Sequence, residues 1–185
     1  MKTEYQNIHQ PIIDQCLIGD RNAQHQLYEL YAKAMFNTAC RITGDEMDAE
    51  DVLQESFVSA FRNIKSYRGT ASFGSWLKRI VVNNAINLVN KRRLVFEEIH
   101  NHHEEELVEF DDKRDLSYDV AMVQQGIAKL PEGYRMVLTL YLIEGYDHKE
   151  IGEILGVTES TSKSQFNRSK KKLKEILREE LKYAG

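Results

Sequence analysis

The chain has 185 residues, of which 42% are hydrophobic and 29% charged, with a formal net charge of −4. That is enough for one ordinary domain or two small ones, and the scarcity of proline, two in all, favours a mainly helical protein. No apolar run is long enough to span a bilayer, and MKTEYQNIHQPIIDQ lacks a charged lead followed by an apolar core, so neither membrane insertion nor a secretion signal is expected and the chain is read as cytoplasmic.

A short helix is expected around Ile12 to Ile18. Residues 21–43 carry Leu27, Leu30, Tyr31, Ala34, Thr38 and Ile42 at helical spacing, and Gly44 ends that helix. Asp48 fits the N-cap of the next helix, whose apolar stripe is Leu53, Phe57, Ala60, Phe61 and Ile64. SYRGTAS at 66–72 reads as a loop. Ser72 then caps a helix from Phe73 to about Arg93, with Phe73, Leu77, Ile80, Val81 and Leu88 facing inward. Residues 96–117 lose the period and fill with acid, as a flexible linker does. From Tyr118 the period returns. Pro131 opens a helix to about Glu144, and helices at 148–155 and about 159–182 follow. The fold class is therefore all-α: two small helical domains, 10–95 and 118–183, joined by an acidic tether.

Charge follows the same division. Residues 1–95 hold 12 basic and 10 acidic side chains, 96–119 hold 2 and 10, and 120–185 hold 11 and 9. Cys16 and Cys40 have no CxxC partner and read as buried thiols in a reducing compartment. His100 to Glu106, HNHHEEE, has metal-binding residue types, but a solvated linker is the better reading. No cofactor, metal site or catalytic constellation is expected.

Two stretches point to nucleic acid. In 148–173, Ile151 and Leu155 face a core, Gly152 is small where two helices cross, Gly156 suits a left-handed turn, Val157 plugs the gap and Phe166 anchors the second helix. That is the pattern of a helix-turn-helix, whose second helix enters the major groove. Its polar positions, Ser160, Thr161, Lys163, Ser164, Gln165, Asn167 and Arg168, suit base edges and phosphates. Lys170, Lys171 and Lys172 add a basic run, which taken alone fits a solvated face equally well. The helix from Phe73 is unusual in another way. Asn83, Asn84, Asn87 and Asn90 crowd a helix for which asparagine is a mediocre former. Arg79, Asn83, Asn87 and Asn90 make a single stripe of donors and acceptors. Tyr67, Phe73 and Trp76 can stack on unpaired bases, Phe73 and Trp76 being also partly core. Arg68, Lys78, Arg79, Lys91, Arg92 and Arg93 can follow a backbone.

The preceding helix carries Asp48, Asp51 and Glu55 in line, with Glu50 and Gln54 beside them. Acid near a helix N-terminus is favourable through the dipole alone. A solvated capped face and a docking face for a basic protein both account for it.

Residues 48–93 resemble region 2, and 130–173 region 4, of the ECF (extracytoplasmic function) sigma factors. The resemblance covers nearly the whole chain and implies a minimal two-domain member that binds the core of bacterial RNA polymerase and directs it to promoter DNA. It implies that Asp48, Glu50, Asp51, Gln54 and Glu55 dock on the polymerase clamp. The loop 66–72 with Tyr67, Arg68, Phe73, Trp76, Lys78, Arg79, Asn83, Asn87, Asn90, Arg92 and Arg93 would handle the melted −10 element, Asn83 standing where the family places a base pocket. Ser160, Thr161, Lys163, Ser164, Gln165, Asn167, Arg168 and Lys171 would face the −35 duplex. An anti-sigma partner is also implied. Ser162 departs from the family, which usually has an apolar residue there, and Gln165 stands where arginine is common. The competing readings are a free-standing helix-turn-helix regulator with a sensor or dimerisation module, and a helical adaptor that binds only proteins. The amide stripe and the acidic face argue against the first, the polar recognition helix against the second.

Overall fold

The computed structural model describes residues 8–97 and 120–183. The expected linker lies outside the described residues from residue 98 on, as does the His100–Glu106 stretch. The regular elements are α1 (Gln10–Leu17), α2 (Arg21–Thr43), α3 (Glu46–Arg62), a 3-10 turn (Ile64–Ser66), α4 (Phe73–Glu97), α5 (Val120–Ala128), α6 (Glu132–Leu142), α7 (His148–Leu155) and α8 (Glu159–Tyr183). They form two compact units, residues 1–89 and 90–185. No helix among the described residues is long and apolar enough to cross a membrane.

In the first unit, α2 starts where the Asp20 carboxylate accepts from the backbone N–H of Asn22 at 2.7 Å and of Ala23 at 3.2 Å. That satisfies two donors the helix itself leaves open. α2 ends at Gly44, whose φ of +71° places it in the left-handed region. The cap of α3 differs from expectation. Asp45, not Asp48, is the N-cap: its carboxylate accepts from the backbone N–H of Asp48 at 3.0 Å. Gly44 turns the chain so sharply that the next residue is already extended, which puts Asp48 inside the first turn.

The buried face of α2 also differs. Ala23, Leu27, Met35, Thr38, Ala39 and Ile42 are buried, while Leu30 is 50% exposed and Ala34 is exposed. The apolar residues of α2 fit two helical phases, and packing against α1 and α3 selects the one through Met35 and Ala39. On α3, Ala49, Val52, Leu53, Ser56, Phe57 and Ala60 are buried, while Phe61 is half-buried. On α4, Phe73, Leu77, Val81, Val82, Ala85, Ile86 and Val89 are buried, and Ile80 and Leu88 only half-buried.

In the second unit, Ile127, Leu130, Leu138, Leu173 and Leu177 make one core joining α5, α6 and α8. Pro131 is the N-cap of α6 rather than its first turn, and α6 stops at Leu142. α7 opens on a capping box. The Asp147 carboxylate accepts from Glu150 N–H at 2.8 Å, and the Glu150 carboxylate accepts from Asp147 N–H at 2.9 Å. Gly156 closes α7 at φ +68°. Gly152 is required for a closer reason than expected. A Cβ there would meet the backbone of the turn itself, 2.8 Å from the Val157 carbonyl oxygen. At Gly126 a Cβ would meet side chains and no backbone: Leu173 Cδ1 and Leu177 Cδ2, each at 2.9 Å, and Leu177 Cγ at 3.4 Å.

Gly152→Ala is therefore expected to destabilise the second unit by about 1–3 kcal/mol, as overpacking against backbone does. Gly126→Ala is expected to cost less, because leucine tips can rotate and alanine is the better helix former. Hydrogen exchange at the amides of α7 and α8 in the full chain measures both. Unchanged protection in Gly152→Ala would show that the turn has room.

Candidate nucleic-acid interface

The loop before α4 is built on itself. The Tyr67 hydroxyl donates to the Ala71 carbonyl at 2.7 Å, closing residues 67–71 into a compact turn. Ser72 caps α4 by accepting from Ser75 N–H at 3.1 Å. The Tyr67 ring stands edge-on to Phe73 with centroids 5.5 Å apart and lies 5.6 Å from Trp76; Phe73 and Trp76 are 5.4 Å apart. Phe73 is 1% exposed, packed also against Tyr31 at 5.4 Å. It is thus the floor of the aromatic cluster and has no face left for a base, contrary to expectation. Tyr67 and Trp76 are half-buried and form its rim. His9, just before α1, reaches the same cluster from below, its Nδ1 2.7 Å from the Tyr31 hydroxyl. Neither His9 nor Tyr31 was legible as part of this site, because the contact joins residues 22 positions apart.

Along α4, Arg79, Asn83 and Asn87 are exposed and in line, while Asn90, Lys78 and Arg92 are half-buried. Arg68 and Lys91 are exposed. The side chain of Arg93 lies outside the described ones. Asn84 acts inward instead: its Nδ2 donates to Ser56 Oγ at 3.0 Å, and Ser56 is fully buried in α3. Of the asparagines, one therefore locks α4 to α3, while Asn83 and Asn87 face outward. A polar serine amid the buried stripe of α3 was the available signal for that pairing, since buried hydroxyls need partners.

On α3, Glu50, Asp51, Gln54 and Glu55 are exposed and Asp48 is half-buried. Beside them a groove of about 370 Å³ opens between α2 and α3, lined by Phe36 and Leu53 and edged by Tyr28, Lys33, Glu50 and Gln54. The acidic face thus borders an apolar recess, a combination suited to a partner carrying both basic and apolar side chains. Among the described residues no group of histidine, cysteine and acidic side chains can hold a metal ion. Burial pushes the Cys16 and Cys40 thiols above their ordinary value, so both rest protonated and unreactive at neutral pH.

In the second unit, Thr158 caps α8 by accepting from Thr161 N–H at 3.1 Å. Ser160, Lys163, Ser164, Asn167 and Arg168 are exposed, and with half-buried Lys171 they share one face of α8. Thr161 is engaged in the cap, its hydroxyl 2.8 Å from that of Thr158, and Gln165 is half-buried. Lys163 is not a bare cation. It donates to Glu159 at 2.6 Å, and that bond lowers the carboxyl and raises the ammonium from their ordinary values. The lysine run does not form one patch. Lys170 lies over the Phe166 ring at 4.6 Å and Lys172 pairs with Glu175 at 3.4 Å, as the 100° step of a helix requires. Ser162, fully buried, pairs with His148, a partner that the sequence pattern did not reveal.

The sigma-70 region 2 profile matches residues 27–95, and the sigma-70 region 4 profile matches residues 121–173. The ECF RNA polymerase sigma factor SigE of Mycolicibacterium smegmatis is 30% identical over 166 residues, covering 86% of this chain but only 64% of SigE. The ECF RNA polymerase sigma factor SigM of Mycobacterium tuberculosis is 31% identical over 163 residues, 86% of this chain and 79% of SigM. In fold the chain matches the sigma factor RpoE of Bartonella quintana, crystallised with the anti-sigma factor NepR, with a TM-score of 0.55 at 22% identity over 83% of this chain and 96% of that one. With both profiles in order along the chain and these relatives across most of its length, the chain belongs to the sigma-70 family, as an ECF RNA polymerase sigma factor.

Proposed function

We propose that this chain binds the core of bacterial RNA polymerase, directs it to specific promoters and promotes initiation, with residues 10–95 handling the melted −10 element and 118–183 the −35 duplex. It is a binding and specificity subunit rather than an enzyme, and its place of work is the cytoplasm. The observation that carries the reading is the pairing of two region matches, in family order, with two helical units that each hold a polar face outward. A free-standing regulator would account for the helix-turn-helix but would need neither the exposed line of Arg79, Asn83 and Asn87 nor the acidic face of α3.

The division of labour follows from charge and shape. Glu50 and Gln54, at the edge of the recess over Phe36 and Leu53, take the polymerase together with Asp51 and Glu55; Asp48 flanks them. Tyr67 and Trp76 offer ring surface to an unstacked base, and Asn83, one turn beyond Arg79, offers an amide to its edge. Ser160, Ser164, Asn167 and Arg168 meet the upstream duplex, with Lys163 exchanging Glu159 for phosphate. Each unit alone binds DNA weakly; polymerase fixes their spacing, and effective concentration supplies the rest. An anti-sigma factor is the expected regulator, covering one or both faces.

Co-elution of the purified chain with core polymerase, followed by transcription on a fragmented genomic library, tests the whole reading. Discrete new start sites are expected. A chain that ignores polymerase yet shifts duplex DNA alone would favour the free-standing regulator. Within this frame Asn83→Ala is expected to weaken promoter opening by about 1–3 kcal/mol with polymerase binding intact, read by permanganate reactivity of the melted strand. Trp76→Ala should share that defect, whereas Phe73→Ala should lose the fold of the first unit instead, at about 3–5 kcal/mol. Charge reversal at Asp51 and Glu55 is expected to weaken polymerase binding roughly tenfold or more, measured by competition for core enzyme. Arg168→Ala should cost about 1–3 kcal/mol at one upstream base position; a uniform loss on all sequences would make Arg168 a phosphate contact.

A further inference from the structure

Ser162 is fully buried on α8, yet it carries a hydroxyl. Serines within helices commonly satisfy that hydroxyl on their own helix. Two others on α8 do so: Ser164 donates to the Ser160 carbonyl at 3.0 Å and Ser169 to the Phe166 carbonyl at 2.8 Å. Ser162 instead meets Nδ1 of His148, the first residue of α7, at 3.0 Å. Either tautomer of the ring serves, because a serine hydroxyl donates to a bare nitrogen and accepts from N–H.

The ring of His148 is itself held from two sides. It stacks on Tyr141 of α6 with centroids 4.4 Å apart and planes 15° from parallel. It stands edge-on to Phe166 of α8 at 5.5 Å, and Tyr141 touches Phe166 at 4.5 Å. Ser162 and Phe166 are four residues apart, hence on one face of α8, and His148 contacts both. The residues between and beyond them, Lys163, Ser164, Asn167 and Arg168, point the other way. A purely apolar contact at position 162 would tolerate small rotations of α8, because hydrophobic packing has no direction. A hydrogen bond to a ring packed on two sides is directional and tolerates them less.

We propose that His148 and Ser162 are a positioning pair: they set the rotation of α8 about its own axis against α7, and through it which base edges Asn167 and Arg168 reach. The proposal rests on the reading of α8 as the upstream-duplex helix. It makes the pair positioning residues, not DNA contacts.

The test uses the full chain with core polymerase and three variants: Ser162→Ala, His148→Phe, and the two changes together. The readout is the ratio of transcription from a library-selected promoter to that from the same promoter with single upstream bases changed. His148→Phe leaves the fully buried Ser162 hydroxyl without its partner and Ser162→Ala takes the partner from the half-buried His148 ring, and each is expected to lower that ratio roughly tenfold, with polymerase binding and helix content intact. The double change leaves neither partner stranded and is expected to regain most of the ratio, a coupling that a general loss of stability would not produce. Ratios within about twofold of the unaltered chain in both single variants would overturn the proposal, as would a double variant as poor as the two losses added. If the unaltered chain itself shows no upstream base selectivity, the reading of α8 has failed, and the pair is judged without DNA. In that case amide resonances of Lys163 to Arg168 that move in Ser162→Ala, together with the His148 ring nitrogens, support the pair. Resonances that stay in place overturn it.

Discussion

The rotational phase of each helix decides what its exposed face can do, and in α4 that phase is set by a buried stripe with one polar lock. Val81, Val82, Ala85, Ile86 and Val89 are all at or near zero exposure. Burial of these small and branched side chains sets which side of α4 faces inward. The bond from Asn84 to Ser56 adds direction to that packing. With this phase fixed, Arg79, Asn83 and Asn87 have only one way to point. A roll of one residue, about 100°, would carry Val82 to the exposed position of Asn83 and Asn83 to the half-buried position of Asn84.

The aromatic cluster under the loop depends on the same phase. Phe73 enters the core in the first turn of α4 and carries Tyr67 and Trp76 on its outer side. Its burial against Tyr31 ties the loop to α2, and His9 ties Tyr31 to the start of α1. The rim residues are thereby held without being buried. The second unit reaches the same end by different means. There the closeness of α7 to the turn, possible only because Gly152 lacks a side chain, brings Phe166 and Ser162 onto His148 and Tyr141.

Several elements could be read directly from the residues. α7 was legible to the residue with Gly156 as its left-handed stop, and the capping box of Asp147 and Glu150, which the structure adds at its start, is a local signal too. The outward positions of α8 followed from a 3.6-residue period with Phe166 as the anchor. Where the reading failed, two local solutions were equally good. Asp45 and Asp48 are both able caps, and Gly44 selects the former. α2 offers apolar residues on two phases, so Leu30 was placed inward when Met35 belongs there. Phe73 was assigned to both core and DNA, and only its packing against Tyr31 removes the second role.

By itself the sequence determined the all-α class, the order of the described helices, the helix-turn-helix and the two kinds of exposed face. Those depend on period, caps and turn residues, which act within about four positions along the chain. Tertiary structure alone decided which asparagine is a lock and which face outward, and that Ser162 has a partner in His148. Each of these is a contact that helical period and turn signals do not specify, or a choice between faces with equal local preference. Such choices are settled by which arrangement buries the most apolar surface while leaving no buried hydroxyl or amide without a partner.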